Sequence, residues 1–392
     1  MTNSSVRRTP RWRLGLTSSL AVAAVALAAS ACGSAAGTDS ASDAGTAGPS
    51  AAAARTCVSQ AKAALPAAMA APSTPSVPKI NVASLRGKQI WMIEPDETSF
   101  TGAVATDFTA AAKAAGLQPK VFDANFSTAT MNQDLSLAVT AKPAAVVLAY
   151  IATSLVKGSL AAVTAKHIPV VSLLADGAQV PLSDGLYARV DVDATREGKL
   201  QADWMLANSG CSAASLIIDV PVFAFNHTML LEEQAEIKKL CGASCPVYYS
   251  QVNAGTMASD FQSVTASQLT AHPAIKYVFP AFDVAAPYVQ AGFNQIGKTA
   301  DIVSPTGNGS NLISIKNHGT QVADLSWAPP GFIAWAALNK AMDGMLNVPG
   351  TLYELPDRLI DGTNIGTGTV ASLFPEQASY QHYFETQWGL TS

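Results

Sequence analysis

From residue 86 onward the chain alternates short apolar runs with amphipathic stretches. The apolar runs fall at 89–93, 120–122, 144–150, 168–174, 187–192, 215–220, 247–252, 275–279, 301–304 and 321–325. They lack the every-other-residue polar alternation of a half-exposed strand, so they read as strands covered on both faces. Helical patterns fill the gaps, at 102–115, 129–141, 154–166, 195–207, 227–240, 258–271, 285–297 and 331–346. In the first of these, Val104, Phe108, Ala111 and Ala112 share one face and Gly116 follows as a stop. Thr195 reads as a helix N-cap, and Gly210, Gly242 and Gly297 stand where helices should end. Repeated strand and helix units predict parallel sheets with helices on both faces. There are too many strands for one sheet, so the expected fold is α/β with two Rossmann-like lobes.

The segment before residue 88 has a different character. Arg7, Arg8, Arg11 and Arg13 precede an apolar run from Leu14 to Ala29, which ends at Ala29-Ser30-Ala31-Cys32. A basic head, an apolar run too short to span a bilayer comfortably, and small residues before a cysteine resemble a bacterial lipoprotein signal. Residues 1–31 are therefore expected to be removed and Cys32 to be lipidated. Residues 32–54, nearly all Gly, Ala, Ser, Thr and Asp, read as a flexible tether. Residues 55–87 form an N-terminal extension of the folded part. The chain would sit on the outer face of the cell membrane, held there by lipid.

Loss of residues 1–31 removes four arginines and no acid, which takes the formal charge from −4 to −8. An acidic, tethered domain argues against nucleic acid as a partner. Four cysteines remain, Cys57, Cys211, Cys241 and Cys245, and these suit an oxidising compartment and allow three pairings. Cys241 and Cys245 are close enough to bridge across a turn, and Cys57 with Cys211 would then tie the chain start to the second lobe. One close cysteine pair without a suitably spaced histidine pair disfavours zinc, and no metal or cofactor is expected.

Several stretches, in order, resemble one family. They are Ser99-Phe100-Thr101 at the first helix, Ile168-Pro169-Val170-Val171 at a strand entry, and Asp191-Val192-Asp193 followed by Glu197-Gly198-Lys199. Further on come Leu269-Thr270-Ala271-His272-Pro273 with the strand after it, Pro280-Ala281-Phe282-Asp283, and Ser326-Trp327-Ala328-Pro329. Over residues 88–350 this pattern resembles the type I, ribose-like periplasmic binding proteins of sugar-type ABC importers. The resemblance implies lobe one at 88–191, lobe two at 194–326, and a return at 328–392 with a C-terminal tail crossing back. Three crossovers would join the lobes, and a ligand would be trapped between them by hinge closure. It also implies a monomer that binds a small molecule and docks on an ABC permease. A sensor feeding a membrane kinase or chemoreceptor, or an enzyme on the same scaffold, are the alternatives.

Parallel sheets bind ligands beyond the carboxyl ends of their strands. That places candidates at 94–100, 150–153, 174–176, 223–226, 282–283, 306–308 and 327. The ligand-binding set drawn from these is Phe100, Thr101, Asp176, Asn226, Phe282, Asp283, Asn308 and Trp327. Phe100, Phe282 and Trp327 would supply stacking faces. The amides of Asn226 and Asn308 would supply paired hydrogen bonds, and Asp176 and Asp283 would accept from hydroxyls. Sugar binders of the family commonly carry an Asp-Arg pair where this chain has Leu174-Ala175, and an Arg near Met229-Leu230-Leu231. Their later Asp falls near Gly307-Asn308. Fewer charges and more rings predict a less polar or aromatic ligand over a typical pentose or hexose. No nucleophile elbow, phosphate loop or His-Glu-x-x-His motif occurs, so no catalytic residue is expected.

Overall fold

All ten apolar runs form strands. In the first lobe these are β1 (Gln89–Glu94), β2 (Gln118–Asp123), β3 (Ala145–Ala149), β4 (Val170–Leu173) and β5 (Ala188–Asp191). In the second they are β6 (Ala214–Asp219), β7 (Val247–Gln251), β8 (Ile275–Pro280), β9 (Asp301–Thr306) and β10 (Gln321–Trp327). Two short strands follow, β11 (Leu352–Glu354) and β12 (Asp357–Asp361). These assignments come from a computed structural model, which describes residues 51–97, 99–182 and 185–391. The signal segment 1–31, Cys32 and the tether up to residue 50 lie outside the described residues.

The strands make two six-stranded sheets, ordered β11-β5-β4-β3-β1-β2 and β12-β10-β9-β8-β6-β7. Every pairing is parallel except β12 with β10, which is antiparallel. Central strands such as β3, β4 and β6 are buried along their whole length. The sheet-edge strands β2 and β7 are only partly covered, since each has a neighbour on one side alone.

The helices are α1 (Ala51–Ala61), α2 (Leu65–Met69), α3 (Ser99–Ala114), α4 (Thr128–Ala141), α5 (Lys157–Thr164) and α6 (Ala194–Ser209). They continue with α7 (Ala224–Cys241), α8 (Met257–Ala271), α9 (Ala286–Ile296), α10 (Gly309–Lys316), α11 (Pro330–Met345), α12 (Val370–Leu373) and α13 (Tyr380–Gln387). The chain leaves lobe one after β5, returns after β10 and leaves again after β11, which makes three crossovers. The tail then adds β12 to the second sheet and docks α13 on α11 of the first lobe, where Trp388 stacks on Trp335 at 4.8 Å.

Some local expectations change. The N-cap of α6 is Asp193, whose carboxylate accepts from the Arg196 amide at 2.9 Å, and Thr195 already lies inside the helix. Gly210 and Gly297 end their helices in the left-handed conformation, both at φ 64°. Residues 51–54, read as tether, begin α1, because an alanine run favours helix once it has a surface to pack on. That surface is α6 and α7. Disulfides join Cys57 to Cys211, with Cα atoms 6.3 Å apart, and Cys241 to Cys245. Where α6 crosses α7, Gly198 lets the backbones meet: a Cβ there would lie 2.1 Å from the Met229 carbonyl oxygen.

From the end of α2 the chain runs as a strap against β11, β12 and α13. Arg358 Nε donates to the Met69 carbonyl, Tyr353 and Tyr383 hydroxyls both donate to Pro75 O, and the Ile80 amide donates to Gln387 O at 2.8 Å.

Candidate functional site

Loops at the carboxyl ends of the strands converge from both lobes on one cavity of about 80 Å³. Lobe one gives Pro95 and Asp96 after β1, Phe126 after β2, Tyr150 after β3, and Leu174 and Ala175 after β4. It also gives Phe100 and Thr101 from the first turn of α3. Lobe two gives Phe223, Phe225 and Asn226 after β6, Met257 at the start of α8, Phe282 and Val284 after β8, and Thr306 and Asn308 at β9. Trp327 stands at the end of β10, on the second crossover.

The lobes are shut around this space. The Phe225 amide of lobe two donates to the Ala175 carbonyl of lobe one at 3.1 Å. Phe126 of lobe one meets Phe223 of lobe two edge to face, with centroids 6.1 Å apart. Outside that pair lies a larger hollow of about 630 Å³, which shares Pro95, Phe126, Tyr150 and Phe223 with the inner cavity. Phe126 and Phe223 therefore stand between an outer vestibule and the inner chamber.

The inner walls are rings held by rings. Trp327 packs edge to face against Phe100 at 5.7 Å and Phe225 at 5.4 Å, and Phe282 against Phe223 at 5.6 Å. Such pairs fix ring orientation and are worth about 0.5–1.5 kcal/mol each beyond their buried area. Four lining residues also hold positive φ: Phe126 at 56°, Tyr150 at 58°, Leu174 at 47° and Thr306 at 117°. Each such residue costs roughly 1–3 kcal/mol and persists only where its surroundings over-determine it. The strain is concentrated at the mouths of the strands, where the side chains turn toward the gap.

The eight residues chosen from the sequence separate into two groups. Phe100, Thr101, Asn226, Phe282, Asn308 and Trp327 line the cavity. Asp176 and Asp283 do not, because both serve the protein itself. Asp176 accepts from the Thr153 hydroxyl at 3.1 Å and pairs with buried Arg189 at 3.5 Å. Asp283 is wholly buried and accepts from the Asn308 amide at 2.7 Å and from Gln321 Nε2 at 3.1 Å. It thus shapes the loop that presents Asn308. Asp191, on β5, plays the same part in lobe one, accepting from the amides of Ala175, Asp176 and Gly177. Burial pushes its carboxyl up to about 7, against the pull of those amides.

Sequence reasoning passed over Phe126, Met257 and Val284. The first two follow the edge strands β2 and β7, and the strand-end rule extends to both loops. It also passed over Glu197, the residue that aims Trp327. Glu197 is wholly buried, and its two carboxyl oxygens accept from Trp327 Nε1 at 2.9 and 3.1 Å. Burial, with the charge and hydrogen bond of neighbouring Asp357, raises its pKa well above the usual carboxylate range. Arg196 pairs with Asp357 at 2.7 Å and with Glu354 at 3.1 Å. These residues come from all three crossovers, so the hinge network ends at a ring of the cavity wall.

Under the floor, beside Tyr150, lies an acidic group. Glu94, the last residue of β1, is wholly buried with both carboxyl oxygens unpartnered. Burial, with the charges of Glu97, Asp96 and Asp123, pushes its carboxyl up to about 8. The Tyr150 hydroxyl is likewise buried and unpartnered, with Glu94 and Asp96 close enough to raise its pKa.

The architecture has many solved counterparts. A solute-binding protein of an ABC transporter from Agrobacterium vitis, bound with α-D-tagatopyranose, superposes with a TM-score of 0.64 at 18% identity, covering 73% of this chain and 98% of that one. A carbohydrate transporter protein from Acidothermus cellulolyticus, in complex with myo-inositol, gives 0.64 at 18%, covering 75% and 99%. An ABC transporter solute-binding protein from Burkholderia graminis, in complex with D-arabinose, gives 0.64 at 14%, covering 72% and 98%. No curated protein sequence matches the chain. The model of the periplasmic binding protein domain matches residues 90–344, most of the two lobes, and the chain belongs to that family.

Proposed function

We propose that this protein is the extracytoplasmic solute-binding component of an ABC importer. It captures a small molecule between its lobes, encloses it by hinge closure and releases it unchanged to a permease. The observation that carries this reading is the chamber at the strand ends, walled by both lobes and wired through Trp327 and Glu197 to all three crossovers. The family and the solved counterparts, among them ABC transporter proteins bound to sugars and polyols, support it. Phe100, Phe282 and Trp327 serve as contact faces, and Asn226 and Asn308 as hydrogen-bonding groups. The domain works as a monomer, anchored through a lipid on Cys32.

The test is to purify the protein, unfold it and identify by mass spectrometry what it releases. The stripped and refolded protein is then titrated with that compound under small-angle X-ray scattering. Ligand at a hundredfold excess over Kd should raise stability by ~2.7 kcal/mol and reduce the radius of gyration. A chemically altered product, or binding that leaves the lobes where they were, would overturn the proposal. Separately, Cys32→Ser should move the protein from the membrane fraction to the medium.

A further inference from the structure

Building on the solute-binding role, we infer that the guest is a compact, uncharged ring compound with one or two polar groups, of which an aryl alcohol or a phenol is the simplest form. Three features of the chamber lead to this class.

The first is where the charges go. The acidic residues placed around the chamber are taken up by the protein itself. Asp176 pairs with buried Arg189 at 3.5 Å, and Asp191 accepts from the Ala175 and Gly177 amides at 3.0 and 2.9 Å. Asp283 accepts from the Asn308 amide at 2.7 Å, and Glu197 from the Trp327 indole at 2.9 Å. Among the described residues, Asp96 is the only Asp, Glu, Lys, Arg or His of the lining, and it already has an interaction of its own. An ionic guest of either sign would leave water for a chamber with no group set aside to pair with it, which is costly.

The second is the supply of hydrogen bonds, which comes chiefly from lobe two. Asn226 donates one amide hydrogen to the Ala281 carbonyl at 2.6 Å and keeps the other, together with its carbonyl oxygen. The Asn308 carboxamide brings a donor end and an acceptor end to the lining. The Thr306 hydroxyl donates to the Pro305 carbonyl and keeps its lone pairs. On lobe one, Thr101 has an interaction of its own and the Tyr150 hydroxyl is buried. The set is balanced between donors and acceptors, as a hydroxyl or an amide requires, and it serves one or two such groups. A pyranose or a cyclitol, with a hydroxyl on nearly every ring carbon, would bury several of them without partners.

The third is the wall. Apart from Asp96 and the Thr and Asn residues just named, the described lining is apolar or aromatic, so most of the guest's surface must be apolar to be stabilised there. Trp327 stands edge to face with Phe100 and with Phe225, an arrangement that leaves flat surfaces for a ring. At about 80 Å³ the chamber is roughly half the ~150 Å³ of a dry cavity that accepts benzene, so one ring is the most it admits, and the lobes part slightly around it. The ring lies among Phe100, Phe225 and Trp327, and the polar end points to Asn226 and Asn308.

The test is isothermal titration of stripped, refolded protein with four probes: benzyl alcohol, benzylamine, benzoate and myo-inositol. The alcohol should bind at least tenfold tighter than each of the other three. Asn308→Ala should weaken the alcohol at least threefold while the Tm of the ligand-free protein holds. Amine, benzoate or inositol binding as tightly as the alcohol would overturn the uncharged ring class and leave the solute-binding role standing. So would a co-purified compound that is ionic or a polyol. Unchanged alcohol affinity in Asn308→Ala would overturn the polar contact. A protein that binds no probe and releases no compound on unfolding would overturn the class and the role alike.

Discussion

Replacing Glu94 by Gln should change how stability depends on pH, and the size follows from the structure. The Glu94 carboxyl sits at zero exposure with no partner, and burial lifts it from 4.5 to about 8. Between those values the folded protein keeps a proton that the unfolded chain has released. A raised carboxyl therefore contributes stability fully below about pH 4.5 and loses it progressively as pH climbs to about 8. The loss approaches ~1.4 kcal/mol per pH unit, or about 2.5 kcal/mol from pH 5 to pH 7. Gln has the same shape and no proton to lose. Asp191 and Asp203 are also pushed up, each to about 7, and Glu233 is raised by burial, so both proteins should weaken as pH rises. The difference between them isolates Glu94. Urea unfolding of wild type and Glu94→Gln at pH 5, 6, 7 and 8 should show the variant gaining about 2 kcal/mol relative to wild type by pH 7. Parallel stability curves would mean that Glu94 is ionised in the folded protein and that its charge is compensated in a way the geometry does not reveal.

Three further outcomes follow from specific contacts. Trp327→Ala and Phe100→Ala should each weaken the co-purified ligand at least tenfold in titration calorimetry while far-ultraviolet circular dichroism stays unchanged; wild-type affinity in both would show that these rings do not face the guest. Gly198→Ala should destabilise by about 2 kcal/mol or more in thermal unfolding, because the added methyl group meets the α7 backbone at Met229 and Glu233 rather than a movable side chain. Cys57→Ser removes a link across 154 residues, and loop-closure entropy puts its loss at up to ~5 kcal/mol, read as a lower Tm that reducing agent does not lower further at this link.

Much of the fold was legible because buried parallel strands carry a signal that survives translation into sequence: continuous apolar runs at regular intervals. What lacked that signal stayed hidden. The Leu-Tyr-Glu of β11 and the charged-ended β12 exist as strands only because β5 and β10 offer them edges. The tail was expected to cross back, but the strand by which it joins the second sheet carries no apolar run of its own. In α10, Asn308-Gly309-Ser310 resembles a turn, and the helix is set by Leu312 and Ile315 packing beneath Ile360 and Phe374. The chamber was half legible for the same kind of reason. An aromatic residue just past a central strand has few places to go except the gap between lobes, and Phe100, Phe282 and Trp327 go there. A carboxylate in the same position has two destinations, a guest or the backbone amides of its own loop. Nothing in the residue names distinguishes them, and for Asp176 and Asp283 the protein's own groups are the partners.

The backbone strain was the least legible feature and bears most directly on how the cleft works. Phe, Tyr, Leu and Thr are poor residues for a left-handed backbone, yet Phe126, Tyr150, Leu174 and Thr306 adopt positive φ at the rim of one chamber. Their neighbours make this tolerable. The Tyr150 amide donates to Leu173 O and the Leu174 amide to Val190 O, so the ladder continues through the distorted residues. The outcome is that side chains leaving adjacent parallel strands turn into the interlobe gap instead of back over the sheet. On the other lobe the turn is enforced by buried carboxyls, with Asp283 holding the Asn308 amide. Trp327 completes the enclosure from the crossover, where Glu197 fixes the plane of its indole. Glu197 in turn neighbours Asp357, whose ion pair with Arg196 links the first crossover to the third. The indole and the crossover ion pair are thus joined through one buried carboxyl, so substitutions at Glu197, which lies behind the cavity wall, should alter ligand affinity in titration calorimetry.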